Sequence, residues 1–132
     1  MTSIKNVFFV DDDKLFVYLT RKTIEAINFG GHIKEFGDGE EAINYLKEIA
    51  DNTELLPDII LVDLNMPIMD GWEFLEEYML IKPGMKKNAT IYLVSSSISP
   101  HDIERAKNID LVSAFLIKPL VKEKIIEMLK DV

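Results

Sequence analysis

Short apolar runs alternate along this chain with longer segments in which apolar residues recur at helical spacing. Four of the runs are nearly continuous in apolar residues, which is typical of strands buried on both faces of a parallel sheet. Another run alternates apolar and polar residues and indicates an edge strand. In chain order, with the alternating run second, the predicted strands are Asn6–Val10, His32–Phe36, Asp58–Leu64, Thr90–Ser95 and Ala114–Ile117.

The segment after the first predicted strand has the spacing of an α-helix. Over Lys14–Asn28, an apolar residue or a threonine recurs at every fourth position, which indicates one face of a helix. These positions are Leu15, Leu19, Thr23 and Ile27. Gly30 and Gly31 follow the segment, and glycine just beyond the last helical turn is a common stop signal.

Capping residues predict where several helices begin. Asp13 is interpreted as the N-cap of the first helix, because aspartate is strongly preferred at that position. Asp38, with a glutamate three residues further on, has the spacing of a capping box. Ser99 stands before Pro100, a pair that suits an N-cap and the first helical position. The last helix is predicted over about Val121–Lys130.

Strands that alternate with helices predict an α/β fold, with a doubly wound, five-stranded parallel sheet covered by helices on both faces. The 132 residues are enough for one domain with a hydrophobic core, so we expect residues 1–132 to form a single domain. No apolar run approaches the length of a membrane span, and no secretory signal pattern opens the sequence. We therefore expect a cytoplasmic protein without membrane insertion.

Charge and composition exclude several kinds of function. The formal net charge is −8, and direct nucleic-acid binding needs a basic face that neutralises phosphates. We therefore expect no direct contact with nucleic acid. The chain contains no cysteine, which excludes disulfides, thiolate catalysis and zinc–thiolate sites.

Polar residues interrupt the apolar strands at the same end of each. They are Asp11, Asp12 and Asp13 after the first strand, Asp63 at the end of the third, Ser95 at the end of the fourth and Lys118 after the fifth. In an open parallel sheet, sites form at the carboxyl ends of the strands. Converging carboxylates suit a divalent cation, for which Mg²⁺ is the natural choice. A lysine and a hydroxyl suit phosphoryl oxygens, so the set predicts phosphoryl transfer to or from a carboxylate.

This set of residues resembles the receiver domain of two-component response regulators, of the single-domain chemotaxis type. The resemblance rests on Asp11-Asp12, Asp63-Leu64-Asn65-Met66-Pro67 followed by Asp70-Gly71, Ser95 and Lys118-Pro119, each at a strand end and in the family's order. It covers essentially the whole chain. It implies the flavodoxin-like receiver fold and a single receiver domain over residues 1–132, without an output domain.

The same resemblance implies roles for the site residues. Asp63 is implied as the phosphoacceptor. Mg²⁺ is implied as the cofactor, held by Asp12 directly, by Asp11 through a water molecule, by Asp63 and by the backbone carbonyl of Asn65. Lys118 is implied to pair first with Asp63 and then with the phosphoryl oxygens.

A switch and a set of partners are also implied by the resemblance. Ser95 is expected to bind a phosphoryl oxygen and Phe115 to rotate into the space that its loop leaves. This motion biases a pre-existing equilibrium at the face of the fourth helix, fifth strand and fifth helix. The implied partners are a histidine kinase or histidine phosphotransfer protein and a downstream protein target. The chain is not expected to be an enzyme beyond promoting its own phosphorylation and dephosphorylation.

Two other functions stay open at this point. A small phosphatase of the haloacid dehalogenase type also uses a strand-end aspartate, and Asp11 and Asp13 have its Asp-x-Asp spacing. Leu15 stands where that family usually has threonine or valine, and Asp63 would then have no role. The other alternative is a receiver-like docking module that is never phosphorylated.

Two departures from the receiver pattern stand out. Leu111-Val112 lies where the family usually has a small residue, so we expect a differently shaped turn into the fifth strand. The connection Glu48–Pro57 is longer than is common, and we expect it to lie far from the site.

Overall fold

A computed structural model describes residues 4–27, 29–97 and 99–130 of the chain. These residues form strands and α-helices in strict alternation, with a short 3₁₀ turn at Lys82–Gly84. The strands are β1 (Asn6–Val10), β2 (His32–Phe36), β3 (Ile59–Asp63), β4 (Thr90–Ser95) and β5 (Val112–Ile117). The helices are α1 (Lys14–Ala26), α2 (Gly39–Glu48), α3 (Gly71–Ile81), α4 (Pro100–Lys107) and α5 (Lys122–Lys130). The predicted end of the first helix at Asn28 lies outside the described residues, as do both ends of the predicted domain.

The strands form one sheet in the order β2-β1-β3-β4-β5, and every neighbouring pair is parallel. The predicted fold class is therefore confirmed. The chain turns to one side of β1 to form β2 and then returns to the other side to form β3. Because Val10 pairs with Val62, the residues that follow them, Asp11 and Asp63, come side by side at the carboxyl edge of the sheet.

Apolar residues are buried on both faces of the central strands. On one face, Phe8, Val10, Ile60 and Val62 pack with residues of α2 and α3. On the other face, Val7, Phe9, Ile59 and Leu61 pack with residues of α1 and α5. This two-sided burial explains why β1 is apolar from Val7 to Val10 and β3 from Ile59 to Val62, since alternate side chains of a strand point to opposite faces.

The two edges of the sheet differ in how well the sequence predicted them. β2 is an edge strand, as its alternating pattern indicated. β5 forms the other edge, although its apolar sequence had suggested a strand covered on both sides. It also begins two residues before the predicted Ala114, because Val112 already pairs with Ile91 and Ser113 is left over as a bulge. A bulge adds one residue to one strand and bends it locally, so β5 is irregular at its start, while a differently shaped turn before it stays a prediction.

The buried face of α1 is not the one that the spacing indicated. Leu15 and Leu19 are 68% and 52% exposed, while the buried residues of the helix are Phe16, Val17, Thr20 and Ile24. Both sets recur at about four residues, so periodicity alone fits either face. The set that contains Phe16 and Ile24 packs against the sheet. Leu15 and Leu19 instead line a groove together with Pro119 and Leu120.

The predicted capping residues start their helices as expected. The Asp13 carboxylate accepts a hydrogen bond from the backbone N–H of Phe16 at 3.1 Å, and Asp38 and Ser99 cap α2 and α4 in the same way. A full capping box joins Asp70 and Glu73 at the start of α3. Within the ranges described above, no helix is both long enough and apolar enough to cross a bilayer.

The long connection after α2 is bound at the amino ends of the strands, opposite their carboxyl ends. The Asn6 side-chain amide donates to the backbone carbonyls of Glu54 and Leu56 at 2.8 and 3.0 Å. Just beyond it, the Asp58 carboxylate accepts hydrogen bonds from the backbone N–H groups of Lys5 and Asn6 at 2.8 and 2.9 Å. This segment therefore stabilises the start of β1 and lies far from the carboxylate cluster.

Candidate functional site

Three carboxylates meet where β1 and β3 end side by side. Asp11 and Asp12 follow β1, and Asp63 is the last residue of β3. Each offers an oxygen such that the three ligand atoms lie within 4.8 Å of one another. Asp11 and Asp63 are buried, while Asp12 is exposed. An oxygen cluster of this kind matches the ligands that hard divalent cations prefer.

The environment of Asp11 favours a cation. Its side chain is 1% exposed, and its Oδ1 accepts hydrogen bonds from the backbone N–H of Asp13 at 2.9 Å and from Lys118 Nζ at 3.2 Å. Its Oδ2 lies 2.9 Å from Lys118 Nζ, yet it accepts no hydrogen bond of proper geometry from any described residue. A buried oxygen without a hydrogen bond is costly, so this atom fits a place beside a bound metal.

Lys118 connects the ends of β4 and β5 to the carboxylates. Its backbone N–H donates to the carbonyl of Ser95 at 2.8 Å, and its side chain is only 8% exposed. Its Nζ lies 3.6 Å from Asp63 Oδ1. Burial lowers the pKa of Lys118, but its hydrogen bond and ion pair with Asp11, together with the charge of Asp63, raise that pKa above the ordinary value overall. The ammonium therefore remains charged within the site.

The carboxyl group of Asp63 is held in an unusual electrostatic state. Burial and the adjacent charge of Asp11 raise the pKa of Asp63 to about 6. Lys118 and a hydrogen bond from the backbone N–H of Asn65 oppose this change only in part. Burial also raises the pKa of Asp11. The two carboxylates thus repel each other in a poorly solvated place, which added positive charge would relieve.

The remaining predicted residues lie at different distances from this cluster. Ser95 ends β4, is 2% exposed, and its hydroxyl accepts a hydrogen bond from the backbone N–H of Ser97 at 3.3 Å. Asn65 lies in the loop after β3 and is exposed. Phe115 pairs with Leu93 within the sheet and packs, half-buried, against the core cluster that also contains Ala106 of α4. The structure therefore brings Ser95 to the strand-end cluster and places Phe115 further back in β5.

Two contacts of Lys118 were missed from the sequence. Its Nζ lies 4.6 Å from the ring centroid of Phe16 and 3.6 Å from Asp13 Oδ2. Asp13 is thus both the cap of α1 and a neighbour of the ammonium. The only sequence signal was the position of both residues just after β1, which did not reveal the face of α1 that Phe16 occupies.

A model of the response regulator receiver domain matches residues 7–130. The chain belongs to the response regulator receiver family. Receiver domains are signalling proteins, generally not enzymes, that work with histidine kinases and downstream effectors of two-component systems and bind Mg²⁺ at an acidic pocket. In this receiver, the cluster of Asp11, Asp12 and Asp63 and the unsatisfied oxygen of Asp11 fit that ion.

Curated relatives match this receiver over nearly its full length. It is 29% identical over 127 residues to the probable methanogenesis regulatory protein FilR2 of Methanothrix harundinacea, covering 96% of this chain and 79% of that protein. It is 28% identical over 132 residues to the chemotaxis protein CheY of Thermotoga maritima, covering 97% of each. The similarity to CheY therefore extends over almost all of both chains.

Solved structures share the fold. A two-component response regulator from Cytophaga hutchinsonii has a TM-score of 0.84 and 30% identity, over 95% of this chain and 93% of that one. The phosphorylated cyanobacterial phytochrome response regulator RcpA has a TM-score of 0.75 and 29% identity, over 97% and 90%. The structure gives the phosphatase alternative no support, since Asp13 caps α1 and the family match is to receivers.

Proposed function

We propose that this receiver accepts a phosphoryl group on Asp63 from the phosphohistidine of a histidine kinase or histidine phosphotransfer protein. The observation that carries the proposal is the position of the Asp63 carboxylate, at a strand end beside Asp11 and 3.6 Å from the ammonium of Lys118. A carboxylate is a competent nucleophile toward phosphorus when nearby charges stabilise the transferred group. The partners proposed here are thus a phosphohistidine donor and a downstream protein target in the cytoplasm.

The transfer itself needs little more than position and charge. An Asp63 oxygen forms a bond to phosphorus while the phosphorus–nitrogen bond of the phosphohistidine breaks, and the ring nitrogen keeps the electron pair of that bond. The product is an aspartyl phosphate. The Lys118 ammonium neutralises negative charge on the phosphoryl oxygens, and the Ser95 hydroxyl donates a hydrogen bond to one of them.

The metal site of this proposal uses residues already at the strand ends. Asp12 and Asp63 would hold Mg²⁺ directly, Asp11 would hold it through a water molecule, and the backbone carbonyl of Asn65 would complete the protein ligands. When bound, Mg²⁺ supplies positive charge that offsets the repulsion among these carboxylates and the phosphoryl group. The Asp11 oxygen without a hydrogen bond supports this assignment.

The switching proposal concerns the loop after β4 and the face formed by α4, β5 and α5. The Ser95 hydroxyl accepts a hydrogen bond from the backbone N–H of Ser97 in its own loop, and its O–H group can still donate to a phosphoryl oxygen. The loop then moves toward Asp63, and Phe115, which is half-buried, rotates inward. A partner that binds the resulting surface more tightly shifts the equilibrium toward it.

Intact-mass measurement tests the central proposal. The wild type is incubated with Mg²⁺ and acetyl phosphate beside Asp63→Asn, Asp11→Asn and Asp51→Asn. Asp51 is an exposed aspartate in the connection after α2 and serves as the matched control. We expect a single phosphoryl adduct in the wild type and in Asp51→Asn, no adduct in Asp63→Asn, and a smaller amount without Mg²⁺.

The same experiment separates the other functions. An adduct that persists in Asp63→Asn and disappears only in Asp11→Asn would place the nucleophile after β1, as in the phosphatase alternative. No adduct on a folded wild type that binds Mg²⁺ would leave a docking module instead.

A further inference from the structure

The Lys118 ammonium is enclosed by groups from several parts of the chain. Asp11 follows β1, Asp63 ends β3, and Asp13 and Phe16 belong to the start of α1. Lysine has a flexible stem with many rotamers, so its head group occupies one place only if its surroundings restrict it. These four residues therefore decide where the ammonium stands.

The carboxylates of Asp11 and Asp13 attract the Lys118 ammonium away from Asp63, the proposed phosphoacceptor. Nζ lies 2.9 Å from Asp11 Oδ2 and 3.2 Å from Asp11 Oδ1, but 3.6 Å from Asp63 Oδ1. Another carboxylate, that of Asp13, lies at 3.6 Å on the side of α1. To bind a phosphoryl group on Asp63, the ammonium must keep a fixed distance from that residue despite these competing charges.

The ring of Phe16 supplies a contact of a different kind. Its centroid lies 4.6 Å from Nζ, which is within the range in which a cation is attracted to an aromatic face. An aromatic ring is not a strong hydrogen-bond acceptor, so the N–H donors of the Lys118 ammonium remain available to oxygen atoms. Phe16 is 6% exposed, and its backbone N–H is fixed by the Asp13 cap. The ring is buried in a core cluster with Val17 and Ile24, which restricts its movement.

We propose that Phe16 is a positioning residue for phosphorylation, and that its ring holds the Lys118 ammonium within reach of a phosphoryl group on Asp63. This inference rests on the proposed function of Asp63. It adds the first turn of α1 to the residues that set the phosphorylation rate. A purely structural role predicts instead that any apolar side chain of similar size at position 16 supports the same rate.

The test compares side chains that differ in their aromatic face. Phosphorylation by acetyl phosphate with Mg²⁺ is followed by intact mass in the wild type, Phe16→Leu, Phe16→Met and Phe16→Tyr. Val17→Ala is the control, because Val17 is buried in the same core on the same helix. Urea unfolding identifies the variants that are folded. We expect Phe16→Leu and Phe16→Met to react about fivefold more slowly, and Phe16→Tyr to recover the rate to within about twofold.

A double-mutant cycle isolates the contact with Lys118. In a Lys118→Met background, we expect Phe16→Leu to change the remaining rate by less than about twofold, since the ammonium is already gone. An equal loss in both backgrounds, a wild-type rate in folded Phe16→Leu and Phe16→Met, or an equal loss in Val17→Ala would each overturn the positioning role. A wild type without adduct would overturn the proposed phosphoacceptor itself, which is a different result.

Discussion

At the scale of single residues, Ile68 is the only described residue other than glycine with a positive φ. Its φ is 67°, in the left-handed region that β-branched residues rarely adopt. The side chain is also 73% exposed, so little packing compensates for the strain. Ile68 lies between Pro67 and Met69, and a backbone hydrogen bond of 2.6 Å from Met69 N–H to the Pro67 carbonyl closes the turn around it. The loop after Asp63 therefore contains strain that the sequence alone did not reveal.

Replacing Ile68 should stabilise the protein. Glycine has no Cβ and adopts the positive φ of this γ-turn at little cost, so we expect Ile68→Gly to raise the free energy of unfolding by about 1 kcal/mol. Urea unfolding followed by circular dichroism measures the change. Ile68→Val keeps the branched side chain and serves as the control, with an expected change below about 0.5 kcal/mol. A loss of stability in Ile68→Gly would show that the isoleucine side chain makes a contact that outweighs the strain.

At the scale of elements, α1 has two apolar stripes and buries only one of them. Ile24 is 2% exposed and packs between the sheet and α5, whereas Leu19 is 52% exposed. Leu19 and Leu15 line the groove that ends at Asp13 and Lys118. The helix therefore has one face that stabilises the fold and another that is open to solvent beside the site.

Truncation to alanine should cost more unfolding free energy on the buried stripe of α1 than on the exposed one. We expect Ile24→Ala to cost about 3 kcal/mol, because it removes fully buried methyl groups and leaves a cavity. Leu19→Ala is the matched variant on the exposed stripe, and we expect it to cost less than about 1 kcal/mol. Urea denaturation at constant pH measures both. Equal losses would mean that Leu19 is covered as well.

The sequence predicted the elements well where burial is simple. β1 and β3 are recognisable because both of their faces are covered, and the helix starts at Asp13, Asp38 and Ser99 because capping is a local interaction. The face of α1 could not be predicted, since the choice depends on which stripe meets the sheet. The start of β5 was missed because the bulge at Ser113 appears only when β4 lies beside it.

The same distinction applies to the candidate site. Asp11, Asp12, Asp63, Ser95 and Lys118 were found because polar residues at the ends of apolar strands are conspicuous and the sheet topology brings them together. The contact of Lys118 with an aromatic ring was not found, because it depends on the rotation of α1 about its axis.

At the scale of the whole molecule, buried carboxylates at the two ends of the strands have opposite effects on stability. At the carboxyl edge, burial and Asp11 raise the pKa of Asp63, so its ionised form destabilises the fold. At the amino ends of the strands, burial tends to raise the pKa of Asp58, but backbone hydrogen bonds and Lys87 lower it below the ordinary value. Asp58 therefore stabilises the fold, whereas the site carries repulsion that the rest of the fold must outweigh.

This repulsion predicts a pH dependence without metal. The folded-state pKa of Asp63 is about 6, above its value in the unfolded chain, so the folded form gains stability as the pH falls through 6. In EDTA at pH 7.5, we expect Asp63→Asn to be more stable than the wild type by about 2 kcal/mol. We expect the difference to shrink as the pH falls toward 5. Urea unfolding at several pH values measures it, and a constant difference would contradict the assigned pKa.

Magnesium should relieve the same repulsion. A ligand that binds only the folded state stabilises it, by about 1.4 kcal/mol at ten times its dissociation constant. We expect MgCl₂ to raise the thermal unfolding temperature of the wild type and of Asp51→Asn. We expect a much smaller rise in Asp12→Asn, which lacks a proposed ligand. An equal rise in all three proteins would point to a general salt effect.

The order of the strands has a consequence for folding of the chain during its synthesis. Lys118 lies 107 positions beyond Asp11, the carboxylate that it contacts, and it enters the sheet with β5, the last strand to be made. A nascent chain on the ribosome can pair β1, β2 and β3 and so bring its aspartates together well before the lysine has left the exit tunnel. Until then the aspartates lack the Lys118 ammonium that offsets their mutual repulsion. The cluster therefore gains its lysine only after β5 has joined the sheet.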